Sequence, residues 1–287
     1  MTRRALLPSN LIPRIEFGVQ ALFRRQRSCP FCASRNHSVV ARKNAVVRIR
    51  RCRECFLYFT DPIYRSHIGD LYESLYQAEG STITLPDKVA LDALRSTSFA
   101  GSDKHCAPQI EALKRLTAGR TLLEIGSSWG YFLDQANAAG FATVGVEPGR
   151  TRRRFGVREL GVDIRESVEE VGDARFDIIY SAHTLEHISQ VSGFFSDCYD
   201  RLRTGGLLVI EVPHFDLLNL LKRVLSIIGA VHPLGLSRSF FNQALPKEGF
   251  RISGVYDTWT AIPSSPISGY REGVLIIVAR KAVRPPR

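Results

Sequence analysis

No stretch of the 287-residue sequence is long and apolar enough to span a membrane, which excludes a helical integral membrane protein. The basic start carries no apolar h-region, only Leu6-Leu7-Pro8, so no signal peptide is evident and a cytoplasmic protein is expected. Acid is scarce relative to base: 28 Asp and Glu stand against 39 Lys and Arg, a net charge of +11 in which arginine dominates. That balance suits polyanions such as nucleic acid, phosphorylated molecules or anionic membrane, and it equally suits a solvated arginine-rich face. Neither G-x-G-x-x-G nor G-x-x-x-x-G-K-[ST] occurs, so the simple dinucleotide fingerprint and the P-loop are both missing. What remains is ample for a core, at 44% hydrophobic residues, and long enough for one large domain or two modest ones.

Residues 121–149, TLLEIGSSWGYFLDQANAAGFATVGVEPG, organise the chain. A short apolar run, Thr121–Ile125, carries one acid, Glu124. A turn follows with Gly126 and Gly130 at its ends. An apolar-periodic stretch, Tyr131–Ala139, is closed by Gly140, and a second run, Ala142–Val146, ends on Glu147. This predicts strand, glycine-bearing turn, helix, strand. The turn brings backbone N–H groups and a helix N-terminus towards a ligand. Glu147, roughly 20 residues on, stands where a ribose hydroxyl pair is held in nucleotide-binding βαβ units.

Four of the six cysteines form two pairs, Cys29-x-x-Cys32 and Cys52-x-x-Cys55, separated by 19 residues with strand-like alternation at 46–50. Each pair presents two thiolates from one tight turn, and two such turns complete a closed tetrahedral shell. In a cytosolic chain this predicts a structural zinc ribbon rather than disulfides. His37, between the pairs, is expected on the surface. Cys106 and Cys198 are expected as buried thiols.

A second chemical stretch, FDIIYSAHTLEHI, covers 176–188. Its apolar run, Phe176–Ser181, predicts a buried strand whose carboxyl end carries His183, Glu186 and His187, where chemistry gathers in open α/β sheets. A histidine there can serve as a general base, and His183 is nearest the strand tip. His214 follows a further strand, Leu207–Val212, ended by Pro213, and is a second candidate base. His187 is read as a helix-start residue that hydrogen-bonds locally.

Elsewhere the pattern predicts helices at 107–118, 150–160 (basic, with Arg152, Arg153, Arg154 and Arg158), 191–203 and Arg238–Lys247, the last capped by Ser237. A third strand is expected over Gly161–Arg165, a turn or short helix over Ser167–Val171, a helix C-cap and turn over 203–206, and closing strands over Phe250–Trp259 and Gly273–Arg280. An amphipathic segment from Arg14 to Arg25 fits a membrane surface or a tail packed on the body. The apolar segment 216–230 fits a lid, a membrane contact or a core helix.

Glu124-Ile-Gly126-Ser-Ser128-Trp-Gly130 resembles motif I of the class I S-adenosylmethionine (SAM) methyltransferases, acid-x-G-x-G-x-G, with Ser128 in place of the middle glycine. The strand with His-x-Leu-Glu-His, the segment LRTGGLLVIEVPHFD, the ribbon and the tyrosine-bearing connector (Tyr64, Tyr72, Tyr76) extend the resemblance over residues 28–280. The whole resembles a group of bacterial methyltransferases whose genes often lie among those for sugar and surface-polysaccharide biosynthesis. The resemblance implies an α/β fold, a Rossmann-like seven-stranded doubly wound sheet with a small N-terminal zinc ribbon. It implies a division into a basic segment (1–27), ribbon (28–60), connector (61–106), methyltransferase domain (107–280) and basic tail (281–287). SAM and a structural zinc ion are the implied cofactors. Gly126, Ser128 and Gly130 would approach the methionine part of SAM, Glu124 would support the turn or the ammonium group, Glu147 would hold the ribose, and Ser167 would lie near the adenine. His183, then His214 and His187, are the candidate bases. His183-x-x-Glu186-His187 also resembles the acid-x-x-Glu-His segment that binds a divalent metal in some quinone and RNA-end O-methyltransferases, with histidine in place of the leading acid. The implied acceptor is a small molecule, a sugar or a glycan precursor, with phosphorylated or lipid-linked forms suiting the basic surface, and peripheral contact with the inner membrane face is compatible. Two alternatives stay open: an RNA methyltransferase gripping phosphates with ribbon and arginines, against which stands the absence of N/D-P-P-Y/F, and a non-catalytic SAM-fold binding module.

Overall fold

The structure is a computed structural model that describes residues 25–43, 47–63, 84–189, 191–216, 227–229, 231–267 and 273–284. The expected N-terminal amphipathic segment, the connector tyrosines and most of the apolar segment 216–230 lie outside the described residues.

Two sheets are present. The smaller is antiparallel, built from β1 (His37–Lys43), β2 (Val47–Cys52), β3 (Tyr58–Asp61) and β9 (Leu234–Gly235) in that order. The larger has seven strands: β4 (Thr121–Ile125), β5 (Ala142–Val146), β6 (Ile164–Arg165), β7 (Phe176–Ala182), β8 (Leu202–Pro213), β10 (Phe250–Tyr256) and β11 (Val274–Lys281), in the order β10-β11-β8-β7-β4-β5-β6. β6, β5, β4, β7 and β8 run parallel, and β11 and β10 close the sheet antiparallel. The chain moves outward from β4 to β5 and β6, then returns to lay β7 on the other side of β4. That reversal opens a crevice at the carboxyl ends of β4 and β7, the place where doubly wound sheets hold ligands. This is the expected seven-stranded fold.

Alternation puts both faces of the sheet to use. Along β8, Leu208, Ile210 and Val212 enter one core cluster and Leu207 and Val209 the other; along β11, Leu275, Ile277 and Ala279 oppose Ile276 and Val278. One face is covered by α2 (Ala107–Leu116) and α3 (Tyr131–Ala138), through Ile110, Leu113, Phe132 and Leu133. The other is covered by α5 (Val191–Arg201) and α6 (Arg238–Lys247), through Phe194, Phe195, Phe240 and Phe241. The same cluster takes in Cys29, Phe31, Cys55 and Leu57 of the ribbon. Phe31 meets Phe195 and Phe240 edge to face, with ring centroids 6.0 and 5.3 Å apart. The helix α1 (Lys88–Ser96) precedes these, capped by the Asp87 carboxylate, which accepts from the Ala90 amide. Ser237 caps α6 as expected, its hydroxyl accepting from the Phe240 amide.

Three expectations are corrected. The basic helix is α4 (Arg150–Phe155) continued by a π-wound turn, Gly156–Leu160. Gly156 lies where a Cβ would stand 2.7 Å from the Trp129 carbonyl oxygen, so this segment passes close over the glycine-bearing turn. The third strand is only Ile164–Arg165. Residues 203–206 are not a helix cap: β8 begins at Leu202, and the register against β7 jumps from Leu202 to Leu207, so these residues bulge from the strand, with Gly205 at φ 73°.

Asp177, at the start of β7, ties the entrance of three strands. Its Oδ2 accepts from the Arg120 amide (3.1 Å), the Thr121 amide (3.0 Å) and the Thr121 hydroxyl (2.7 Å), and its Oδ1 pairs with Arg203 at 2.7 Å. Burial pushes this carboxyl up, but the Thr121 and Arg203 donors outweigh it and bring it down to about 2. A depressed folded-state value stabilises the fold above the ordinary carboxylate range and is lost as pH falls through the folded value. Asp177→Asn is therefore expected to cost roughly 1–3 kcal/mol at neutral pH. In urea denaturation the gap to the wild type should close as pH falls from about 4 to about 2. A gap that does not depend on pH would refute the electrostatic part of this account.

Candidate active site

The turn after β4 is drawn towards β5 by one carbonyl: the amides of Gly126 and Ser127 both donate to Val146 O, at 2.8 and 3.0 Å. The Gly130 amide closes the turn on Ser127 O at 2.9 Å. Ser128, where motif I has glycine, takes a left-handed φ of 51°. Its amide donates to Glu147 Oε2 at 3.0 Å, and the Gly149 amide donates to Glu147 Oε1 at 2.7 Å. Arg152 approaches the same oxygen at 3.5 Å. Burial pushes the Glu147 carboxyl up, with Arg152 and the two amides pulling against it. Glu147 is thus oriented at the tip of β5 by backbone donors on both sides.

The two glycines are required by packing rather than by room for a ligand. At Gly126, φ 86°, a Cβ would stand 1.9 Å from Thr184 Oγ1. At Gly130, φ 83°, it would stand 2.7 Å from Val162 Cγ2. Gly126 borders the cavity described below, and Gly130 does not. Nor does Glu124, which lies buried behind the wall; burial and the nearby Glu147 charge push its carboxyl well up, and its Oε2 has no hydrogen-bond partner. Ser127 Oγ and Ser128 Oγ are likewise buried without partners, Ser128 on the cavity wall.

A cavity of ≈ 840 Å³ opens at the reversal point. Ser128, Glu147 and Ser167 border it on the β4–β5 side, and His183, Glu186, His187 and His232 on the β7 side. It therefore joins most of the expected site residues.

His183 follows β7 directly in a left-handed conformation, φ 49°, which turns the chain into a 3₁₀ turn, Leu185–His187. Its Nε2 lies 3.3 Å from Glu211 Oε1 and its Nδ1 3.6 Å from Glu186 Oε1. Burial pulls this imidazole down, but the two carboxylates outweigh it and push it up to about 10. The expected base thus rests as an imidazolium. Glu211 is itself fixed by the Trp259 indole, which donates at 2.7 Å. His187 bonds locally through its amide, which donates to Thr184 O at 3.0 Å, while its Nδ1 lies 2.8 Å from Val231 O; burial holds its imidazole down at about 4. His214 is corrected outright. It is buried beyond β8, its amide donating to Gly273 O, and it does not border the cavity.

In the ribbon, the two turns have the same form. The Ala33 amide donates to Cys29 O and the Phe56 amide to Cys52 O, with Ala33 and Phe56 both left-handed at φ 58° and 63°. This brings Cys29 Sγ within 3.5 Å of Cys55 Sγ and Cys32 Sγ within 3.6 Å of Cys52 Sγ. Tetrahedral zinc with bonds of about 2.3 Å separates its sulfurs by roughly 3.8 Å, so the four thiols match such a shell. His37 is half-buried rather than on the surface, its Nδ1 facing Arg50 at 3.2 Å and its ring edge-on to Phe59. Cys106 and Cys198 are buried as expected.

Residues that the sequence did not single out also shape the cavity: Lys104, Tyr131, Thr184 and His232 border it, and Glu211 acts on His183. His232 sits in a loop with no periodicity, and Glu211 looked like one polar position in an apolar strand, so only long-range contacts reveal them.

The sequence of residues 102–252 matches the family model described as a methyltransferase domain. The ubiquinone biosynthesis O-methyltransferase of Paramagnetospirillum magneticum (strain ATCC 700264 / AMB-1) is 34% identical over 104 residues, 34% of this chain and 42% of the relative. That of Chelativorans sp. (strain BNC1) is 29% identical over 142 residues, 47% of this chain and 52% of the relative. The chain thus spans about half the length of the curated relatives it matches, or less. Among solved structures, geranyl diphosphate C-methyltransferase from Streptomyces coelicolor A3(2) is similar with a TM-score of 0.54 at 17% identity, covering 76% of this chain and 100% of that one. At that identity the likeness is one of fold.

Gly126→Ala forces a left-handed alanine against Thr184. It is expected to destabilise the protein by about 3 kcal/mol or more in urea denaturation. A loss below about 1 kcal/mol would mean that the two turns can part cheaply and that the contact does not hold the cavity's shape.

Proposed function

The chain belongs to the methyltransferase-domain family, and on that premise we propose that it is a class I SAM-dependent enzyme that methylates an oxygen of a small-molecule acceptor. The observation that carries the reading is the Glu147 carboxylate, set at the tip of β5 beside the Gly126–Gly130 turn and opening on the cavity at the sheet's reversal point. The unpartnered Ser128 Oγ on the same wall fits a polar ligand. SAM, when bound, supplies a methyl group already activated on a sulfonium.

This chain's residues then bind and orient. Glu147 takes the ribose hydroxyls, its oxygens keeping lone pairs beyond those given to the Ser128 and Gly149 amides. Ser128 and the turn backbone face the methionine part. Ser167, with Glu166 and Val168 beside it on the wall, faces the adenine. Glu124 supports the turn from behind. His183, held between Glu186 and Glu211, presents a half-exposed ring to the acceptor. In its resting form it donates hydrogen bonds, and it accepts the acceptor's proton only in the fraction that has lost its own. The reaction thus rests chiefly on placing the acceptor oxygen in line with the methyl group.

A volume of ≈ 840 Å³ suits a cofactor with a small acceptor. The O-methyltransferase names of the relatives support an oxygen acceptor, and a sugar hydroxyl in a glycan precursor, phosphorylated or lipid-linked, is the finer reading. Among the described residues no helix is long and apolar enough to cross a membrane. The four cysteines are proposed to hold a structural zinc ion.

Titration calorimetry tests the cofactor. SAM is expected to bind with micromolar affinity while NAD gives no heat, and Glu147→Ala should weaken SAM by about tenfold or more. An unchanged dissociation constant would remove the ribose assignment, and no SAM binding to the wild type would remove the enzyme reading. For the ribbon, stripping zinc with a strong chelator should release one ion for every four newly reactive thiols and lower the melting temperature. Unchanged melting after complete removal would count against a structural ion.

A further inference from the structure

Charge is unevenly spread along the chain. Residues 25–63, the ribbon with the segment that leads into it, carry eight arginines and one lysine against two acids, Glu54 and Asp61, and so hold most of the net charge of +11. Pairing in the small sheet shows where that charge is left uncompensated. Residues directly opposite on antiparallel strands share a face, and Arg42 of β1 stands opposite Arg48 of β2. Like charges so placed destabilise a sheet. Asp61 of β3 stands opposite Arg48 on its other side, but its carboxylate is used elsewhere. Its Oδ2 accepts from Arg50 Nε at 2.9 Å and Nη2 at 2.8 Å, and its Oδ1 from the Gln26 amide at 2.7 Å. Among the described residues neither Arg42 nor Arg48 forms an ion pair.

The segment before the ribbon is strapped across the same face. His37 Nδ1 takes a hydrogen from Arg50 Nη1 at 3.2 Å, so its Nε2 carries the proton and donates to Arg27 O at 3.1 Å. With the Gln26 amide this fastens 26–27 to the face that carries Arg42 and Arg48, and leaves Arg25 and Arg27 exposed. β1 is the open edge of the sheet, and Val39 and Val40, at its bulge, are 41% and 36% exposed. No open aromatic ring accompanies these arginines among the described ribbon residues. Phe31, Tyr58 and Phe59 are buried, and Phe56 has the Arg51 guanidinium over its ring at 4.6 Å. Nucleic acid would therefore find phosphate partners but no platform on which to stack a base.

We propose that this face, with Arg25, Arg27, Arg42 and Arg48 as its cations and Val39 and Val40 at its edge, docks the protein on an anionic lipid bilayer. Guanidinium forks match lipid phosphates two hydrogen bonds at a time. The headgroups supply the counter-charge that Arg42 and Arg48 lack within the chain, and the two valines meet the boundary between headgroups and acyl chains. The sequence leading into Arg25 has the matching composition: Leu11, Ile12, Ile15, Phe17, Leu22 and Phe23 are interleaved with Arg14 and Arg24. Docking of this kind does not depend on methyl transfer.

Co-sedimentation of the full chain with lipid vesicles tests this. The protein should partition onto vesicles of phosphatidylglycerol with phosphatidylcholine, stay off vesicles of phosphatidylcholine alone, and come off as salt is raised. Arg42→Gln combined with Arg48→Gln should lower the partition coefficient by roughly twentyfold, about fivefold for each arginine. Arg42→Lys with Arg48→Lys should keep most of the binding, and melting curves confirm that both variants fold. Arg150→Gln with Arg154→Gln, two exposed positions on α4, removes the same charge elsewhere and should change partitioning by no more than about twofold. Equal binding to both kinds of vesicle, or none to the anionic ones, would overturn the lipid assignment. Equal losses in the two glutamine pairs would mean that overall charge, not the ribbon face, binds. Tighter binding of RNA than of vesicles, lost in the same Arg42 and Arg48 variant, would give the face to nucleic acid instead.

Discussion

Between β4 and β7 the backbone at Gly126 passes so close to Thr184 that a methyl group there would stand 1.9 Å from the threonine Oγ1. This contact sets the distance between the two turns that close the crevice. The β4 turn is held from its other side by Val146 O, which takes two of its amides, and the β7 turn by Glu211 O, which takes the His183 amide. Neighbouring parallel strands thus position both lips of the cavity through backbone groups. Side chains on those lips, Ser128 and Glu147 on one and His183 and Glu186 on the other, inherit a spacing that none of them sets alone.

A ribbon of this size has too little apolar material to hold itself together. Here it borrows from the larger body. Phe31 enters the aromatic cluster of Phe195 and Phe240, and the strand that completes its sheet, Leu234–Gly235, belongs to a segment more than a hundred residues later in the chain. A Cβ at Gly235 would stand 2.4 Å from the Phe215 ring, so this added strand packs tightly where the chain leaves β8. The ribbon therefore positions the loop that carries His232 at the cavity. Its sheet and the cavity wall are thus joined through backbone pairing, although the two kinds of chemistry lie apart.

Local pattern made much of this legible. Thr121–Ile125, Ala142–Val146 and the Ser237-capped Arg238–Lys247 form as expected, because strand runs, capping and glycine turns are encoded within a few residues. The cysteine spacing fixed the ribbon's two turns for the same reason. What failed was set by distant partners. His214 had the right place in sequence but lies beyond β8, away from the cavity. Gly130 had the right spacing, yet its missing side chain makes room for Val162 rather than for a ligand. The His187 amide bonds locally to Thr184 O as expected, but its ring also reaches Val231, brought in by the β9 segment, which local pattern does not show. His183 stands where the pattern put it, but its charge is decided jointly by Glu186, three residues on, and by Glu211 of β8, which local spacing does not reveal.

The sharpest asymmetry concerns acid in a basic chain. Among the described residues five acidic side chains are buried: Asp61, Glu124, Glu147, Glu186 and Glu211. Asp61 is matched within the ribbon sheet by Arg50 at 2.8 Å. The other four gather near the carboxyl ends of β4, β5, β7 and β8, and they are compensated unequally. Glu147 has two amides and Arg152, and Glu211 has the Trp259 indole and His183. At Glu124 burial and the nearby Glu147 charge both push the carboxyl up, towards its neutral form. Glu186 has only a shared imidazolium at 3.6 Å. A buried carboxyl is stabilised by the donors around it, so of the four Glu186 has the weakest protein partners. By that measure the carboxyl on the β5 side of the cavity is held by backbone donors, and the one on the β7 side leans on a single imidazole that it shares with Glu211.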